Sequence, residues 1–122
     1  MSKSVLVVDD EASITLSLQH LMRREGYEVR VATDGDQALS EVSAAPPDLV
    51  LLDVMIPKQD GYQVCQAIRA NPDWEAVKIL MVTARGRDVE LEKGIAVGAD
   101  AYVTKPFSTR ELAQTVRSLL AD

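Results

Sequence analysis

Apolar residues along this chain follow two alternating patterns. Val5-Leu6-Val7-Val8 is a continuous, β-branched apolar run with polar residues at both ends, which predicts a buried strand. Ile14, Leu18, Leu21 and Met22 then recur at i, i+4, i+7 and i+8, on one face of a helix, and Gly26 closes it. The alternation repeats with a strand at about Val29–Ala32, a helix carrying Ala38, Leu39 and Val42, the breaker Pro46-Pro47, and a strand at Leu49–Leu52. Gly61 opens a third helix with Val64 and Ile68 inward, Asn71-Pro72 stops it, and Ile79-Leu80-Met81-Val82 reads as a fourth strand. A fourth helix is expected from about Asp88 to Val97, ending at Gly98, before a fifth strand at Tyr102-Val103-Thr104. Ser108-Thr109-Arg110-Glu111 has the form of a capping box ahead of a last helix carrying Leu112, Val116, Leu119 and Leu120.

Strands that are apolar throughout, alternating with amphipathic helices, require a parallel sheet covered on both faces. Five such units predict an α/β, doubly wound (βα)5 domain of flavodoxin-like type, strand order 2-1-3-4-5, filling residues 1–122. Strands one and three are then neighbours at the switch point of the winding, and ligands are expected beyond the carboxyl ends of the strands.

Composition narrows the classes. The 122 residues are 47% hydrophobic, with 13 basic against 19 acidic side chains and a net charge of −6. The chain is too apolar for a disordered tail and lacks a run long enough to span a membrane or serve as a signal peptide. An acidic balance argues against direct contact with nucleic acid. The lone Cys65 fits a reducing cytoplasm.

The residues at the carboxyl ends of the expected strands are Asp9 and Asp10, Asp53, Thr83, and Lys105. Taken singly, each has a commoner role: an acidic triplet caps a helix, a threonine ends a strand, a lysine is solvated. Together, three carboxylates in one crevice resist ionisation unless a cation is present. Mg²⁺, with Mn²⁺ as an alternative, is the hard cation suited to oxygen ligands and a phosphate oxygen. Three carboxylates, Mg²⁺ and the Lys105 ammonium sum to zero charge, which leaves room for a dianionic phosphoryl group and points to phosphoryl transfer.

Val7-Val8-Asp9-Asp10-Glu11, Leu51 through Gly61, Val82-Thr83-Ala84, and Gly98 through Phe107 together resemble the receiver domain of two-component response regulators, of the chemotaxis-regulator type. The resemblance runs from about Ser4 to Leu120. It implies that Asp53 is the phosphoacceptor, served by a sensor histidine kinase or phosphotransfer protein. It also implies that Asp10 ligates Mg²⁺ directly and Asp9 mainly through water, with the Met55 carbonyl completing the protein share, while Lys105 and the Thr83 hydroxyl contact the phosphoryl oxygens. A cis peptide at Lys105-Pro106 is a further implication. Thr83 and Tyr102 would form a switch that reshapes the surface of the expected 88–97 helix, the fifth strand and the last helix. That surface would serve a downstream protein or a fused effector domain, since the length leaves no residues for an effector. The domain would not be an enzyme in the conventional sense, assisting only its own phosphorylation and dephosphorylation, and would be a monomer or weak dimer. A flavodoxin-like electron carrier and an aspartate-nucleophile phosphohydrolase are the alternatives. Asp9-Asp10-Glu11 would repel a flavin phosphate, and the second Asp of such hydrolases is replaced by Met55.

Several positions depart from the family pattern. Gln59 stands where an apolar residue is usual and is expected to loosen its loop. Leu91, Val97, Ala101 and Thr115 replace charges that support a common dimer, which argues against it. Met55 and Arg85 flank the path of an attacking water and are expected to slow loss of the phosphoryl group. Tyr102 taken alone would be half-buried packing with its hydroxyl at the surface, and His20 a solvated helix residue.

Overall fold

The strands β1 (Ser4–Val8), β2 (Glu28–Ala32), β3 (Leu49–Asp53), β4 (Lys78–Ala84) and β5 (Ala101–Lys105) form one sheet in the order β2-β1-β3-β4-β5, with every neighbouring pair parallel. The computed structural model describes residues 2–84 and 98–121. The helix expected at 88–97, with Arg85, Leu91 and Val97, and the side chains of Thr83 and Ala84 lie outside the described residues. Helices α1 (Ala12–Arg24), α2 (Gly35–Ala44) and α3 (Gly61–Ala70), a 3₁₀ turn at Pro72–Trp74 and a C-terminal helix (Thr109–Leu120) complete the described elements. The doubly wound α/β fold and its strand order are those expected from the pattern.

The period of two along each strand divides the core. Leu6 and Val8, Val50 and Leu52, and Ile79 and Met81 face α2 and α3, meeting Ala38, Val42, Val64, Cys65 and Ile68. Val5 and Val7, Leu49 and Leu51, Leu80 and Val103 face the other way, against Leu18, Leu21 and Met22 of α1 and Leu112, Val116 and Leu120 of the C-terminal helix. A strand buried on both faces has no solvated side to mark with polar residues, so these strands read as unbroken apolar runs. Each fully buried Leu or Ile contributes about 1.5–3 kcal/mol. No described helix is long and apolar enough to cross a membrane.

Helix starts differ from the expected pattern in two places. The acidic triplet does not cap α1 through its N-cap side chain: Glu11 is the N-cap and makes no side-chain cap bond, while Asp9 Oδ1 accepts from the Glu11 N–H at 2.9 Å. Ser108 does cap the C-terminal helix, accepting from the Glu111 N–H at 3.3 Å, but the reciprocal capping box is found at Asp60 and Gln63, where two 2.9 Å bonds start α3. The Lys105-Pro106 peptide is cis, as expected.

Candidate functional site

Register brings the acidic residues together. Val8 pairs with Leu52, so the residues that follow them, Asp9 and Asp53, emerge side by side from β1 and β3. Asp9 continues the Val5, Val7 face and Asp53 the Leu49, Leu51 face, which is the α1 side of the sheet. Lys105 ends β5 two residues beyond Val103 on that same face, and its stem spans the width of β4. Its Nζ lies 3.2 Å from Asp9 Oδ2 and 3.3 Å from Asp53 Oδ2. The ammonium therefore bridges two carboxylates that are only 2% and 8% exposed.

Each carboxylate is also held by backbone. Asp9 Oδ1 takes the Glu11 N–H, and Asp53 Oδ1 takes the Met55 N–H at 3.3 Å. Asp10 is exposed, yet one carboxylate oxygen from each of Asp9, Asp10 and Asp53 lies within 4.8 Å of the others. This all-oxygen donor set, open on the Asp10 side, fits a hard divalent cation that keeps part of its water shell. Burial, and then the Asp9 charge, push the Asp53 carboxyl above the usual carboxylate range, against the Lys105 ammonium and the Met55 N–H, which pull it down. Burial pulls the Lys105 ammonium down, but the Asp53 and Asp9 charges outweigh it and hold its pKa above the ordinary lysine value.

Close backbone approach sets the loop beside Asp53. A Cβ on Gly61 would sit 2.6 Å from the Asp53 carbonyl oxygen and 2.8 Å from Val54 Cα, so only glycine lets α3 begin directly behind the end of β3. Met55, between them, is 60% exposed, at the mouth of the crevice.

Of the residues singled out from sequence, Asp9, Asp10, Asp53 and Lys105 are brought together. The backbone of Thr83 pairs with Thr104, one step before Ala84 pairs with Lys105. Tyr102 packs half-buried against the α3 side of the core, away from that cluster. Its hydroxyl, expected at the surface, is instead buried and without a hydrogen-bond partner among the described residues. His20 is exposed, as expected. Gln59, expected to loosen its loop, donates from Nε2 to Asp36 Oδ1 at 3.0 Å, a bond that ties the loop to α2.

Arg69 was not singled out from sequence. Its Nε donates to the Gly98 carbonyl (2.9 Å), Nη1 to the Val77 carbonyl (2.8 Å) and Nη2 to Asp100 Oδ2 (2.6 Å), which also accepts the Ile79 N–H. This one side chain joins α3 to the starts of β4 and β5. Its sequence context, a basic residue in the last turn of an amphipathic helix, is too common to have marked it.

The family model described as the response regulator receiver domain matches residues 5–117. The chain is 45% identical over 120 residues to the alkaline phosphatase synthesis transcriptional regulatory protein PhoP of Bacillus subtilis, covering 98% of this chain and 49% of PhoP. It spans about half the length of the curated relatives it matches. A crystal structure from Chloroflexus aurantiacus J-10-fl, assigned there as a response regulator, superposes with a TM-score of 0.96 at 36% identity over 100% of both chains. The receiver domain of the sensor histidine kinase PA1611 from Pseudomonas aeruginosa PAO1, which has a magnesium ion coordinated in its active site cleft, gives 0.91 at 27% identity, again over 100% of both.

Proposed function

The chain belongs to the response regulator receiver domain family of two-component systems, and on that premise we propose that Asp53 accepts a phosphoryl group from the phosphohistidine of a sensor histidine kinase or phosphotransfer protein. The observation that carries this reading is the Lys105 ammonium bridging Asp9 and Asp53 at the switch point of the sheet. An oxygen of the Asp53 carboxylate forms the new O–P bond as the P–N bond to the imidazole breaks, and the ring nitrogen leaves with the electron pair and is then protonated. Even with its raised pKa, a carboxylate needs no separate base to become a nucleophile, unlike a serine or cysteine. The Met55 N–H holds the carboxylate plane, which orients the attack.

Lys105 exchanges its bond to Asp53 for one to a phosphoryl oxygen, keeping positive charge where negative charge accumulates. The Thr83 hydroxyl donates to a second oxygen. Asp9, Asp10, Asp53 and the Met55 carbonyl would hold Mg²⁺, or Mn²⁺; the charge arithmetic of the three carboxylates and the magnesium in the PA1611 receiver support this. Bound there, the ion would supply charge neutralisation for the transferring group. Because the phosphoryl group ends on the protein's own aspartate, the domain is a phosphoacceptor and not a conventional enzyme.

Output follows from Thr83 and Tyr102. The Tyr102 hydroxyl is buried with no hydrogen-bond partner among the described residues, which suits a side chain that changes place when Thr83 engages the phosphoryl group. A bias of about 1–3 kcal/mol is ordinary for two coupled sites. The surface so altered serves a downstream protein or an effector domain joined to this one. The receiver itself works in the cytoplasm as a monomer or weak dimer, without direct contact to nucleic acid or membrane.

Incubation with acetyl phosphate and Mg²⁺ tests the reading. The parent gains the mass of one phosphoryl group, EDTA abolishes the gain, and Asp53→Asn shows none. Equal modification of Asp53→Asn and the parent, or of neither, overturns it.

A further inference from the structure

The loop between β3 and α3 carries Met55, and its two ends are held by bonds of their own: the Val54 N–H to the Val82 carbonyl and the Met55 N–H to Asp53 Oδ1, each at 3.3 Å, and the Gly61 N–H to the Val54 carbonyl at 2.9 Å. Met55 is 60% exposed, Pro57 has no N–H to donate, and Lys58 adopts φ +73°, a left-handed conformation unfavourable to a residue with a Cβ. Val54 and Ile56, 1% and 8% exposed, anchor the loop in the core. Its middle, at residues 57 and 59, is held from the first turn of α2. The Gly35 N–H, which as a first-turn donor has no partner within its helix, bonds the Pro57 carbonyl at 3.0 Å. A Cβ on Gly35 would lie 2.2 Å from the Gln59 carbonyl oxygen, so no other residue permits that approach without moving the loop. Gln59 Nε2 then reaches Asp36 Oδ1 at 3.0 Å. Two hydrogen bonds and a backbone contact thus pin residues 57 and 59 to α2, immediately downstream of Met55.

We propose that the start of α2 is a clamp for the metal-binding loop, in which Gln59 and Gly35 are positioning residues that set the Met55 carbonyl for the cation. This rests on the proposed metal site. Gln59 touches none of the three carboxylates proposed as ligands among the hydrogen bonds of the described residues; it acts through the loop.

Titration with Mg²⁺ by calorimetry at physiological salt, together with phosphorylation by acetyl phosphate, tests the clamp. Gln59→Ala and Asp36→Ala each weaken Mg²⁺ binding roughly two- to tenfold, the span expected for one hydrogen bond. The double variant is no weaker than either single one, because both remove the same bond. Asp36→Asn, which keeps the acceptor oxygen and loses the charge, stays close to the parent. At saturating Mg²⁺ the phosphorylation rate of Gln59→Ala returns to that of the parent, which a general loss of structure would not allow. Parent-like Mg²⁺ binding by Gln59→Ala overturns the clamp, as does Asp36→Asn falling to the level of Asp36→Ala, which would assign the effect to charge. If Asp10→Asn and Asp53→Asn bind Mg²⁺ as the parent does, or the parent binds none, the metal site itself fails and the clamp with it.

Discussion

Lys105→Met removes an ammonium while keeping most of the side chain's bulk, and its effect can be worked from the distances. At 3.2 and 3.3 Å, with an effective dielectric constant of about 20, each ion pair is worth about 5 kcal/mol before desolvation. The net value is smaller, because the ammonium gives up hydration when it enters the crevice and its side chain is still 28% exposed. A ceiling also applies. Without Lys105, Asp53, already raised by burial and by Asp9, takes up a proton, and protonating an ordinary carboxyl at pH 7 costs about 4 kcal/mol. Loss of about 2–3 kcal/mol is therefore expected in EDTA at pH 7, read as the urea midpoint.

The sign of the pH dependence follows from which state binds the proton. The folded variant holds a proton on Asp53 more tightly than the unfolded chain, so its deficit shrinks as the pH falls through the raised folded pKa and is largest above it. Mg²⁺ replaces the missing charge and, through mass action, returns about 2.7 kcal/mol at a hundredfold excess over its Kd. Mg²⁺ should accordingly stabilise Lys105→Met more than the parent, in which the ammonium competes for Asp9 and Asp53. A variant as stable as the parent in EDTA would refute the reasoning. So would a deficit that ignores both pH and Mg²⁺, since that would be lost packing and not electrostatics.

Arg69→Leu leaves two carbonyls and Asp100 without their cationic donor and should cost about 2–4 kcal/mol in urea unfolding; a loss under about 0.5 kcal/mol would contradict the role of Arg69 in joining α3 to β4 and β5. The Cys65 thiol is pushed up to about 11 by burial. Iodoacetamide at pH 8 should therefore label it only at the rate of unfolding, and labelling at a free-thiol rate in the native state would argue against its burial. The unfolded chain ionises this thiol first, so the contribution of Cys65 to stability declines as the pH rises from the ordinary value of 9.0 towards about 11. The double variant Met55→Asn, Arg85→Ala should lose its phosphoryl group faster than the parent, measured as the half-life after removal of the phosphodonor; an unchanged half-life would show that the bulk of these residues does not gate water.

The alternation of patterns, helix-spaced around Leu18 and strand-like at Val5–Val8 and Leu49–Leu52, was enough to determine the five strands, the described helices and the two-faced burial of the sheet. It was enough because burial on both faces leaves an unbroken apolar run that nothing else in a chain of this charge requires. The candidate site was legible for the same reason: Asp9, Asp53 and Lys105 each end a strand, and parallel strands deliver their ends to one edge. Only the tertiary structure decided what those ends do to one another. The Val8–Leu52 register sets Asp9 beside Asp53, and the reach of Lys105 across β4 turns three separate strand ends into one bridged cluster. Gln59 looked like a loosening of its loop because its partner, Asp36, lies on another helix. Arg69 was hidden in the same way, its partner Asp100 lying beyond β4 along the chain. Hydrophobic burial acts on every turn of a helix and on successive residues of a strand covered on both faces, so it leaves a repeating pattern in the sequence. A hydrogen bond between two side chains distant along the chain is a single event, and exists only once the fold has brought its partners together.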